Sequence, residues 1–90
     1  MALDYESQKA DHDTQLIDFL RIDLQLGRTF AEVAALAKES GHMDHYGQAK
    51  ADVEKAVEAM RRFIDRVRDS APKAELNHEL GELEQILSKL

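Results

Sequence analysis

Apolar residues recur at helical intervals along three stretches of the chain. Placed at 100° per residue, segment 46–69 divides cleanly. Tyr46, Ala49, Val53, Ala56, Val57, Met60, Phe63, Ile64 and Val67 share one side, while Lys50, Glu54, Lys55, Glu58, Arg61, Arg62, Asp65 and Arg68 take the other. The pattern predicts an amphipathic helix of about six turns, with Asp44 as its N-cap because a short carboxylate can accept first-turn backbone N–H groups. Past Pro72, which ends that helix or opens the next, leucines stand at 76, 80, 83, 87 and 90. Steps of four and three residues are the spacing of a helix that packs along another helix.

The first segment, about 11–40, carries more apolar surface than one neighbour can cover. Leu16, Phe19, Leu26, Phe30, Val33, Ala34 and Ala37 form one stripe. Ile17, Leu24, Ala31 and Ala35 form a second side, with Leu20 between the two. The register runs straight through Gly27, which predicts one long helix, although Thr29 and Glu32 have capping-box spacing and could restart a helix there. Gly41 is the natural residue to close this helix in the left-handed conformation. The stretch from Ala37 to Ala56 is therefore the turn of a helical hairpin. The expected fold is all-α: a three-helix bundle built on a long antiparallel αα-hairpin plus a C-terminal leucine-striped helix. Its helices fall at about 11–40, 45–69 and 73–90, with residues 1–10 as a frayed lead-in.

Ninety residues suffice for one domain. With 33% charged and 43% hydrophobic residues the chain is globular rather than disordered. It has no cysteine, which excludes disulfides, thiolate metal sites and thiol nucleophiles. A formal net charge of −6 argues against a nucleic-acid partner, since duplex binding rests on neutralising phosphates. No apolar run approaches the roughly 18 residues of a membrane-spanning helix. The N-terminal segment also lacks the basic start and apolar run of a secretory signal. A cytoplasmic protein is expected.

Around the hairpin turn, Phe30, Val33, Ala34 and Ala37 lie on the first helix, Gly41 at the bend, and Ala49, Val53 and Ala56 on the second helix. This arrangement resembles a single tetratricopeptide repeat, in which small residues let two helices approach closely. The resemblance covers residues 30–56. It implies an adaptor hairpin that receives a partner helix or peptide. The interval from Gly41 to Ala49 is longer than that family's turn, Arg61 stands where its closing proline would fall, and no second repeat follows. The runs "RTFAEVA" and "EKAVEAMRRFI" are also similar to those of small helical bacterial proteins, a likeness that implies no activity.

Candidate chemistry is sparse. His42, Asp44 and His45 are the right ligand types for a zinc-like ion, and a metal- or ligand-binding bundle is one reading. A site needs a third ligand and supporting contacts, however, and a solvated polar turn explains the three as well. Glu75 and His78 match one half of a di-iron signature whose other half is missing. Ser40 and Ser70 sit where helix caps belong, and no phosphate loop or nucleophile elbow is present. No enzyme activity and no cofactor are expected. Arg61, Arg62, Arg66 and Arg68, interleaved with Asp65 and Asp69, read as a solvated face near a helix C-terminus.

Asp23 is the most informative single residue. It falls within the apolar side of the first helix, so it needs a partner from another helix or chain, an arginine by preference, or a boundary that water reaches. The excess apolar surface on helix one predicts self-association, most simply a homodimer with Ile17, Leu20, Leu24 and Asp23 at the contact.

Overall fold

The computed structural model describes the backbone of residues 2–90 and the side chains of residues 12–90. Three helices account for it: α1 (Ala2–Glu39), α2 (Met43–Ile64) and α3 (Ser70–Lys89), with no strand among the described residues. They form the all-α bundle expected from the periodicity. α1 begins at Ala2 rather than near residue 11. At 1.5 Å per residue its 38 residues would span about 57 Å, which matches the 59 Å long axis of a molecule only 18 × 15 Å across.

α1 passes through Gly27 without a break. Thr29 does not restart the helix; its hydroxyl donates to the Gln25 carbonyl one turn back, at 3.1 Å. Gly27 serves packing instead. A Cβ built there would stand 2.7 Å from Leu83 Cδ2 and 3.8 Å from Met60 Cε. Its missing side chain is what lets α3 lie close against α1.

The hairpin turn is closed by backbone. Gly41 has φ +76°. The His42 N–H donates to the Ala37 carbonyl at 2.8 Å, and the Gly41 N–H donates to that of Lys38 at 3.2 Å. This paired closure satisfies two carbonyls that a helix end leaves open. His42, not Asp44, occupies the N-cap of α2, with no side-chain cap bond. Asp44 lies inside the first turn, where its charge still meets the positive end of the helix dipole. Because a non-glycine residue in the left-handed region costs about 1–2 kcal/mol, Gly41→Ala should destabilise by that amount. A thermal melt checks it, with a fall of about 4–8 °C expected per kcal/mol for a domain this size.

α2 ends at Ile64, five residues earlier than its apolar stripe predicts. The chain then turns through Arg66 N–H to the Phe63 carbonyl and Val67 N–H to the Ile64 carbonyl. Val67 stays buried, so the stripe continues although the helix does not. Asp13 of α1 fastens this connection, its carboxylate accepting the N–H groups of Arg68 at 2.9 Å and Asp69 at 3.3 Å. Asp69 is the extended N-cap residue of α3, and Pro72 sits in the first turn, where no N–H is required.

α2 runs antiparallel to α1, and α3 parallel to α1. Two ion pairs one heptad apart fix the α1–α3 register: Arg21 with Glu75 at 3.8 Å and Arg28 with Glu82 at 3.6 Å. Both are solvent-exposed and contribute alignment more than stability. The core is built from Leu20 and Leu24 of α1, Val53, Met60 and Ile64 of α2, and Leu76, Leu80 and Leu83 of α3, none more than 3% exposed. Burying each large side chain stabilises by roughly 1.5–3 kcal/mol relative to leaving it exposed. At the other end, the Leu90 carbonyl accepts from Lys38 Nζ at 2.9 Å and from the Tyr46 hydroxyl, so all three helices meet there.

Candidate functional site

α1 carries two apolar stripes, and the bundle covers only one. Ile17, Leu20, Leu24 and Ala31 point into the core, each at most 8% exposed. The second stripe lies about 160° round the helix from the first, at 3.6 residues per turn. It comprises Phe19, Ile22, Leu26 and Val33, all 45–58% exposed, with half-buried Phe30 at its inner edge. Leu36, also exposed, extends it toward the hairpin turn.

The placement of Ile17, Leu20 and Leu24 corrects the expected contact. These residues are consumed by the chain's own core and have no free surface to offer a partner. The reason is steric. They align with Gly27 and Ala31, whose small size lets α2 and α3 come close, whereas Phe19 and Phe30 would hold two further helices apart. Ala35, read with that side from its angle, is exposed. Ile22 and Leu36 were absent from either predicted stripe, although helical spacing from Phe19 and Val33 reaches both.

One side of the exposed stripe abuts α2. The rings of Phe19 and Phe63 meet edge to face, with centroids 6.1 Å apart and planes at 83°. The Arg66 guanidinium stands 5.2 Å over the Phe63 ring and closes that corner. In the antiparallel register set by the Phe19–Phe63 contact, half-buried Ala56 and Ala59 of α2 lie level with Leu26 and Asp23. Asp23 itself is half-buried at the border between the two stripes. Among the described residues it has no ion-pair partner, so it takes the water-reached boundary rather than an arginine.

The remaining candidates are dispersed. His42, Asp44 and His45 are exposed, and the two imidazoles are 6.1 Å apart at 75°. Among the described residues no three His, Cys, Asp or Glu side chains cluster closely enough to hold an ion. Glu75 faces Arg21, and His78 meets Glu82 at 2.8 Å, so these two form no shared site. The arginines are engaged separately. Arg61 pairs with Glu84 at 2.6 Å, a contact that raises its guanidinium above its ordinary range through the hydrogen bond and the adjacent charge. Arg62 reaches Glu58 at 3.9 Å. Ser40 and Ser70 make no side-chain cap among the described residues, and Ser88 donates to the Gln85 carbonyl at 2.7 Å. No helix of the described residues is long and apolar enough to cross a membrane.

Of the residues that resemble a tetratricopeptide hairpin, Ala34, Ala37, Ala49 and Val53 are buried between α1 and α2, while Val33 faces outward. Comparison with known proteins finds no matching family model, no similar curated protein and no similar solved structure.

Proposed function

We propose that this protein works through helix–helix contacts, and that its primary partner is a second copy of itself. The observation that supports this reading is the exposed stripe of Phe19, Ile22, Leu26 and Val33 on a chain that already has a complete core without them. These four large apolar side chains stay half in water, although Phe19 also packs edge to face on Phe63. A contiguous patch of this kind on a small soluble fold marks an interaction surface.

The size of the face sets the strength. From Phe19 to Leu36 the helical rise gives about 26 Å, and one helix with its side chains is about 10–12 Å wide. One copy's stripe therefore offers on the order of 300 Å², and two copies about 600 Å², below the roughly 1,200 Å² at which stable specific interfaces begin and within the range of weak, transient contacts. Association should be reversible, with dissociation in the micromolar range.

Light scattering on the purified chain tests the reading. The wild type should show a mass that rises with concentration toward twice 10.2 kDa. Leu26→Glu should remain at monomer mass with its helical circular dichroism intact, since Leu26 is 48% exposed and supports no core contact that folding needs. A monomeric wild type that captures a helical segment of another protein on the same stripe would instead favour the adaptor role.

A further inference from the structure

We infer that α3 is a hinged lid, which leaves the α1–α2 hairpin as a unit while the hairpin stays paired, with Asp13 as its latch. This goes beyond the self-association reading and does not depend on it. α1 and α2 have contacts of their own. Ala34, Ala37 and Ala49 are buried between them and lie outside the cluster that α3 completes. Toward the other end, Phe19 meets Phe63 edge to face. The backbone closure at Gly41 joins the two helices through a short turn. α3 is attached more loosely. Val67, Arg68 and Asp69 belong to no regular element, and a few residues of this kind at an element's end can absorb a hinge rotation.

The contacts that hold α3 are of two kinds. Leu76, Leu80 and Leu83 fill the groove between α1 and α2. The polar ties lie around the rim. In the pairs Arg21–Glu75, Arg28–Glu82 and Arg61–Glu84 every side chain is at least 36% exposed, and ion pairs in that setting add little net stability. At the far end the Leu90 carbonyl accepts from Lys38 and Tyr46.

Asp13 differs from these rim contacts. Its carboxylate accepts the N–H groups of Arg68 and Asp69, at the pivot itself. A hydrogen bond to an ionised acceptor is about twice as strong as a neutral one. The charge also stands at the positive end of the α3 dipole, where the Asp69 side chain makes no cap bond. Lifting α3 breaks both bonds and uncovers Leu20, Leu24 and Met60, none more than 2% exposed while it is closed. The groove so opened fits a helix with leucines at steps of four, three and four, because Leu76, Leu80, Leu83 and Leu87 are what fill it.

Partial openings of this kind have free energies below that of global unfolding and are read by amide hydrogen exchange. The test uses the full chain, dilute enough to be monomeric, under conditions where exchange follows the opening equilibrium. Ala34→Gly weakens the hairpin, which is intact in the closed and the lid-open forms alike. Amides of Val53 and Val57 should therefore exchange about five-fold faster, the equivalent of glycine's helix-propensity deficit. Those of Leu80 and Leu83 should keep their wild-type rates. Asp13→Ala removes a contact that is lost in the lid-open and the unfolded forms, so it should accelerate both sets by one common factor. Equal acceleration of the two sets by Ala34→Gly would show that the three helices open together and would overturn the lid. Leu80 and Leu83 amides unmoved by Asp13→Ala would overturn the latch.

Discussion

Leu24→Glu is expected to unfold the chain, whereas Leu26→Glu, two residues along the same helix, leaves it folded. Leu24 is 2% exposed in the shared core of all three helices. Removing a buried leucine side chain costs about 2–5 kcal/mol, and forcing an unpaired carboxylate into the same place costs several kcal/mol more. Domains of this size are stable by only about 5–15 kcal/mol, so the sum exhausts the fold. Leu26 is half exposed, and a surface change there should move monomer stability by no more than about 0.5 kcal/mol. Far-ultraviolet circular dichroism on the two variants reads the contrast. Comparable helical signal and melting in both would mean that α1 sits on the bundle by its other face.

The second large effect lies at Gly27. Leucine at this position should destabilise by about 3 kcal/mol, at the upper end of ordinary overpacking, because its Cβ alone would come within 2.7 Å of Leu83 Cδ2. The diagnostic form is a cycle with Leu83→Ala. In the wild-type background, Gly27→Ala sets about 1 kcal/mol of helix propensity against the collision with a fully buried neighbour. With Leu83 reduced to alanine the collision disappears, and Gly27→Ala should stabilise by close to the full propensity gain. The two changes should therefore couple by about 1 kcal/mol or more in urea titrations. Strict additivity would show that α3 does not rest on Gly27.

The class of fold was legible in the sequence because helical periodicity is a strong local signal. The stripe of α2, the leucine spacing of α3 and the glycine at the hairpin each depend on residues within one turn of one another. The end of α2 was not legible for the converse reason. Val67 is buried in a turn, and burial without helix keeps the apolar spacing while dropping the helical hydrogen bonds. Asp13 is a related case: its role on the α2–α3 connection joins residues 55 positions apart, and nothing near it in the sequence announces that contact.

Which stripe of α1 faces inward was also beyond the pattern. Hydrophobicity alone favours burying the phenylalanines and exposing the smaller residues. Packing decides the opposite, since three helices close around Gly27 and Ala31 more tightly than around Phe19 and Phe30. Excess apolar surface on α1 could be read from the sequence, but the residues that carry it could not. Ile17, Leu20 and Leu24 are buried in the core, and the contact proposed above therefore lies one face over, on Phe19, Ile22, Leu26 and Val33.

Sedimentation equilibrium of the wild type and Leu26→Glu, across concentrations up to about 100 μM where a micromolar dimer is well populated, tests the central claim most directly. The account predicts a reversible monomer–dimer equilibrium for the wild type and a single monomeric species for Leu26→Glu. A wild type that remains at 10.2 kDa throughout, or a dimer that the glutamate leaves untouched, would contradict it.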